Sequence, residues 1–152
     1  MKRLVFDRDR LGPWLCEKTN GEWYGQGQTI GLEEDGRVIA CAMYERCNGS
    51  SVVTHIAGEP GKRWMTREFL RVIFDYPFNQ LGVSKLIGFV DGDNTDAMRF
   101  DLHLGFVPEA VIHGAGTDGC DLNVLTMTRN QCRFLKDSDV LPASASAYVG
   151  NH

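Results

Sequence analysis

The chain has 152 residues, about one domain's worth, and its 43% hydrophobic and 24% charged content is that of an ordinary globular protein. A net charge of −4 argues against a general nucleic-acid binder, which would carry a basic excess on one face. No stretch approaches the roughly 20 apolar residues of a membrane span, and Met1-Lys2-Arg3-Leu4-Val5-Phe6-Asp7 lacks the apolar run of a signal peptide, so the expectation is a cytoplasmic protein with no membrane partner.

Leu4 to Phe6 reads as a short strand. Leu11, Trp14 and Leu15 recur at helical spacing, and because proline is comfortable only in a first turn, Pro13 sets the expected helix start near Leu11 and its end before Asn20-Gly21. Trp23 and Tyr24 fall in a glycine-rich loop, either a substrate lip or a loop pinned by two aromatics. Thr29–Glu33 and Arg37–Arg46 read as strands joined by a hairpin at Glu34-Asp35-Gly36. Both faces of the second run are apolar, as in a strand covered on both sides. Ser51–Ala57 completes an antiparallel meander.

A Gly-Glu-Pro-Gly-Lys-Arg-Trp turn, Gly58 to Trp64, then leads into a helix from about Thr66 that carries Phe69, Val72, Ile73 and Tyr76 on one face. Pro77 should end or kink that helix at Tyr76. A strand feeding a helix through a basic, glycine-bearing turn is a place where phosphates can be held, because helix-start N–H groups are unpaired and the dipole favours an anion. Lys85–Asp91 is the next strand, a parallel or splayed neighbour of Ser51–Ala57 after the intervening helix. A short helix capped by Asn94 or Thr95 and closed at Gly105 follows, then strands at Phe106–His113 and Leu122–Thr128.

The domain is expected over residues 1–135, with residues 136–152 a flexible tail or a partner contact. Cys16, Cys41, Cys47, Cys120 and Cys132 form no Cys-x-x-Cys pair and read as reduced cysteines packed as small apolar residues. No metal is expected. Cys41 could accept an acyl group in principle, but it lies within an apolar strand run and reads as core.

Asn94, Ala97, Gly105 and Phe106 stand at the spacing of an Asn-x-x-Ala segment followed by Gly-Phe. With the element order over roughly Arg3 to Thr128, this resembles the Gcn5-related N-acetyltransferases (GNAT), nearest to the ribosomal-protein branch and to small bacteriophage and bacterial members. The resemblance implies an α/β (α+β) fold, a mixed and mostly antiparallel twisted sheet of six to seven strands flanked by helices. It also implies transfer of the acetyl group of acetyl-CoA to an amine, either of a small molecule or of a protein. Dimers are common in that family, which makes a homodimer the implied assembly, while the oligomeric state is unreadable from the sequence itself.

Laid on this chain, the resemblance makes His55, Ile56 and Ala57 the strand that pairs with the pantetheine arm. The family's pyrophosphate turn, Gln or Arg-x-x-Gly-x-Gly or Ala, is matched at its middle glycine by Gly61, with Gly58 and Arg63 at the outer positions. Lys62 and Arg63 can replace the missing residues with side-chain charge; a solvated basic turn is the plain alternative. The implied cofactor-binding set is His55, Ile56, Ala57, Gly61, Lys62, Arg63, Trp64, Met65, Asn94 and Ala97.

Acetyl transfer needs a neutral amine, an oxyanion donor and a leaving thiolate. His55 is the first candidate base, with Glu33, Glu45, Glu59 and Asp91 as the others; packing or solvation is the alternative role for each. The oxyanion donor implied by the family is a backbone N–H near Ile56. Many members protonate the thiolate with a tyrosine seven residues after the Asn, a position held here by Asp101, with His103 nearby. His55, Glu59 and Asp101 are therefore the catalytic candidates. The absent tyrosine and altered turn also fit a second reading, a non-catalytic CoA-binding or protein-interaction domain of the same fold.

Overall fold

The computed structural model describes residues 1–135; the expected tail, residues 136–152, lies outside the described residues. Seven strands form one sheet: β1 (Lys2–Val5), β2 (Gln28–Glu34), β3 (Arg37–Glu45), β4 (Ser51–Gly58), β5 (Lys85–Asp91), β6 (Val107–Ile112) and β7 (Leu122–Thr128). Their order across the sheet is β1-β2-β3-β4-β5-β7-β6, antiparallel throughout except where β4 meets β5. Three helices, α1 (Arg8–Thr19), α2 (Arg67–Asp75) and α3 (Thr95–Leu104), complete the fold.

The β2–β3 hairpin turns on Asp35 and Gly36, both at positive φ (52° and 83°), the pair of left-handed residues that a tight Asp-Gly hairpin needs. On one face of β2–β4, α1 lays Leu11, Leu15 and Cys16 against Cys41 and Met43. The larger core lies on the other face, where Phe69, Ile73, Phe74 and Leu104 meet Ile30, Val52, Leu86 and Leu125.

Helix α1 begins one turn earlier than Pro13 led the sequence reading to expect. Asp7 caps it, accepting a hydrogen bond from the Asp9 N–H at 3.1 Å, so Pro13 sits in the interior. The bond that Pro13 cannot make belongs to the carbonyl of Asp9, an exposed residue, where water replaces it at low cost.

The same defect in α2 is solved differently. Thr66 caps the helix by accepting from the Phe69 N–H, and Pro77 withholds the N–H that the Ile73 carbonyl would have received. Tyr44 on β3, buried to 3% exposure, donates its hydroxyl to that carbonyl instead. Past this point the chain widens into a π-helical turn, Tyr76–Gln80, closed by the Leu81 N–H on the Tyr76 carbonyl at 2.9 Å. Pro77 thus ends the α-helix where the sequence placed the break.

In α3 the cap is Asn94, not Thr95. Its side chain accepts from the Ala97 N–H at 3.1 Å, so the Asn-x-x-Ala spacing is physically an N-cap and its N3 residue. Gly105 closes the helix at φ 113°. Cys16, Cys41 and Cys132 are packed as expected, whereas Cys47 is exposed and Cys120 partly so. Burial drives the Cys41 thiol far above its ordinary range, which leaves it no nucleophile.

Tyr44→Phe isolates the bond that patches α2. It removes only the hydroxyl and leaves the Ile73 carbonyl unsatisfied in the core, so chemical denaturation should show a loss of about 1–3 kcal/mol. A loss below a few tenths would mean that the proline defect is satisfied elsewhere.

Candidate active site

The site is created by where the ladder between β4 and β5 stops. Only Ser51–Lys85, Val52–Leu86 and Val53–Ile87 are paired; beyond them β4 continues along β3 to Gly58 while β5 continues along β7 to Asp91. Each strand keeps its outer partner and the two part company. The opening holds a cavity of about 580 Å³, walled by Thr54–Gly58 on one side, Gly88–Asp91 on the other, and by α3 through Asn94, Ala97 and Asp101.

The cleft is ready for a polar guest. Thr54 is among the lining residues, and its Oγ1 is buried with no hydrogen-bond partner among the described residues. Gly88 also lines the opening: a Cβ there would sit in ordinary van der Waals contact, 3.8 Å from Phe106 and 3.9 Å from the Thr54 carbonyl. Trp64 walls one end, lying so close across Gly58 that a Cβ on that glycine would come within 1.9 Å of the indole. Its ring also meets Phe69 and Phe100, so it serves as core and as lining at once.

Two titratable groups of contrasting character line this cleft. His55 on β4 shares a 3.0 Å hydrogen bond between its Nε2 and Glu45 Oε2 of β3. Asp101 on α3 lies partly buried, with no compensating cation among the described residues, and loss of hydration pushes its carboxyl up to about 7, so that near neutral pH it can carry a proton. An imidazole bonded to a carboxylate and a carboxyl raised by burial thus line one opening.

Other candidates are placed elsewhere. Glu33 is held by Arg10 (Nη1 to Oε2, 2.7 Å) and Arg3, and these bonds keep its carboxyl below the usual range, which makes it a poor base. Glu59 pairs with Lys18 at 2.8 Å. Asp91 lines the cleft but accepts the Thr117 N–H at 3.1 Å. His103 is exposed near Arg133 and outside the cleft. Of the cofactor set, His55, Ile56, Ala57, Trp64, Asn94 and Ala97 line the cavity. Gly61, Lys62, Arg63 and Met65 lie on an exposed turn beyond it, Gly61 at φ 79° and Lys62 Nζ 3.7 Å from Glu34.

The sequence reading did not single out Thr54, Gly88, Phe100 or Phe106 as lining. Gly88 alone offered a local signal, since a glycine inside a strand often marks a close approach of another group.

No family model matches the chain, and no curated protein matches it. Solved structures do. A mutant of the SpeG spermidine N-acetyltransferase of Vibrio cholerae superposes with a TM-score of 0.68 at 17% identity, covering 91% of this chain and 98% of that one. A dodecameric structure of spermidine N-acetyltransferase from Vibrio cholerae gives 0.66 at 17% identity over 86% and 95%. The structure of yncA from Salmonella typhimurium with its cofactor acetyl-CoA gives 0.62 at 15% identity over 93% and 98%. With its single sheet parted between β4 and β5 and its helices set around that break, the chain has the acyl-CoA N-acyltransferase fold of the Gcn5-related N-acetyltransferases.

Proposed function

We propose that the protein is an acetyl-CoA-dependent N-acetyltransferase acting on a primary amine by direct attack in a ternary complex. The observation that carries this reading is the β4–β5 opening, with His55 and Asp101 both on its walls. The residues present suit a coenzyme A arm. Beyond Val53 the β4 edge has no strand to pair with on the β5 side, so amide groups of an extended ligand can hydrogen-bond there as an added strand would.

Bound acetyl-CoA supplies an acyl group activated as a thioester. His55, Ile56 and Ala57 hold the arm, and Lys62 and Arg63 on the turn before α2 attract its pyrophosphate. Asn94 holds the first turn of α3 in place through its cap on Ala97. His55 takes a proton from the acceptor nitrogen, and its bond to Glu45 steadies the imidazolium that results. Asp101 holds a proton for the departing sulfur at the position where the resembling family has tyrosine. Glu59, tied to Lys18, has no part in this scheme.

Calorimetric titration with acetyl-CoA, with ATP and dephospho-CoA as controls, tests the binding half. Saturable binding is expected, weakened about tenfold or more by Lys62→Ala with Arg63→Ala, and abolished by Gly88→Val, whose side chain fills the opening without leaving strand-favourable chemistry. Binding of full strength in Gly88→Val would place the cofactor elsewhere. Saturable binding with no thiol release on any amine would favour a non-catalytic coenzyme-binding domain.

The Asp101 proton gives two pH signatures. As an acid it must be protonated, so activity should fall as pH rises through about 7, and Asp101→Asn should lose that limb. Stability moves the same way for a separate reason. With its carboxyl raised from 3.8 to about 7, the native state binds more protons than the unfolded one in that window, and stability is lost as pH climbs through it. Thermal melts should find Asp101→Asn more stable than the parent at pH 8 but not at pH 4; parallel melting curves would show that Asp101 ionises normally.

A further inference from the structure

The half of the sheet beyond the cleft is bare on one side. Strand residues that pack with α1 come from β1, β3 and β4, and none from β5, β6 or β7. The opposite face is the one covered by α2 and α3, where Leu86, Val90, Leu125 and Met127 are buried. Partners across a ladder share a face, and successive residues alternate. Phe89, Val124 and Ala110 therefore form one row on the bare side, Leu122 and Ile112 belong to the next, and Val107 stands beside Thr126. Phe89, Val107 and Ile112 are 45%, 37% and 48% exposed. A contiguous apolar face of this kind marks an interaction site.

The charges around this face say what fits it. At one end Lys85 pairs with Glu109 at 3.4 Å, and Glu109 also bonds Thr126. At the other end His113 pairs with Asp121 at 3.3 Å, and Asp91 accepts the Thr117 N–H. With its rim charges paired within the chain, the patch offers no field of one sign to repel its own copy and no unpaired ion to select a charged partner. It is complementary to itself, which a two-fold contact requires. The contact must be made by the face and not by the free edge of β6, because Pro108 has no N–H to give and the ladder register shifts between Pro108 and Ala110. The patch is also continuous with the cleft, since Phe89 and Leu122 line both.

We propose that the bare face of β5, β7 and β6 is a docking surface for a second copy of this chain, the two half-sheets packing face to face about a two-fold axis. The inference goes beyond the acetyltransferase reading and does not rest on it. Three strands of six or seven residues present a face of about 14 Å by about 20 Å. That is below the roughly 800 Å² per partner of a standard stable complex, so the dimer dissociates in the micromolar range.

Sedimentation equilibrium of the full chain, over about three decades of concentration around micromolar, is the test. A monomer–dimer equilibrium is expected. Ile112→Lys should raise its Kd about tenfold or more, because a two-fold contact buries the new charge twice. Val107→Lys, at the other end of the same face, should act in the same direction and gives an independent reading if the first variant fails to fold. Val111→Lys lies on the same strand and is as exposed, at 50%, but its partner Asn123 places it on the opposite face, so it should leave Kd within about twofold. A monomer at every concentration would overturn the proposal and leave the face to the acceptor or to the chain beyond Leu135. A dimer indifferent to Ile112→Lys and Val107→Lys, or one broken equally by Val111→Lys, would overturn it too. Calorimetry with acetyl-CoA is a separate readout: no binding by a dimeric parent would count against the acetyltransferase reading alone.

Discussion

Three ladder pairs between β4 and β5 are the constraint on which this molecule turns. Each of these strands is bound along most of its length to an outer antiparallel neighbour, β4 to β3 and β5 to β7. Sheet twist rotates the outer neighbours away from one another, and a parallel contact of three pairs is too short to draw the strands together along their whole length. The opening is therefore the place where two well-formed half-sheets stop sharing hydrogen bonds. Beyond Val53 the β4 main chain has no β5 partner on that side.

The walls stay apart because packing fixes each of them separately. Trp64 occupies the space over Gly58 and reaches Phe69 on α2 and Phe100 on α3, tying the end of β4 to both helices. Tyr44 ties β3 to the end of α2 at the carbonyl that Pro77 leaves open. The helix defect and its repair lie 29 residues apart in the chain, so α2 gains this bond only once it packs against β3.

Charge is sorted by the same packing. Of the carboxylates within reach of the sheet, Glu33 is neutralised by two arginines and Glu59 by a lysine. Glu45 meets an imidazole instead, and Asp101 meets no cation among the described residues, so desolvation alone raises its carboxyl. Carboxylates of the same chemistry are thus set apart by their partners, not by residue type.

The sequence by itself determined the elements and their class. The Asp35-Gly36 turn, the apolar faces of β3 and α2, the break at Pro77 and the Asn94-to-Gly105 helix all depend on neighbours within a few residues, and local periodicity and turn chemistry suffice for such features. It also brought out His55, Ile56, Ala57, Asn94, Ala97 and Asp101, because a spaced motif ties them to a known pattern. It misjudged the start of α1, where an exposed carbonyl at Asp9 made an interior proline cheap. Only the tertiary structure decided which carboxylates are paired, that the Thr54 hydroxyl is buried without a partner among the described residues, that Gly88 lies beside Phe106 and the Thr54 carbonyl, and that His55 touches Glu45. Those facts join residues from different strands and helices, and desolvation and ion pairing are properties of the assembled surroundings that no local stretch of chain contains.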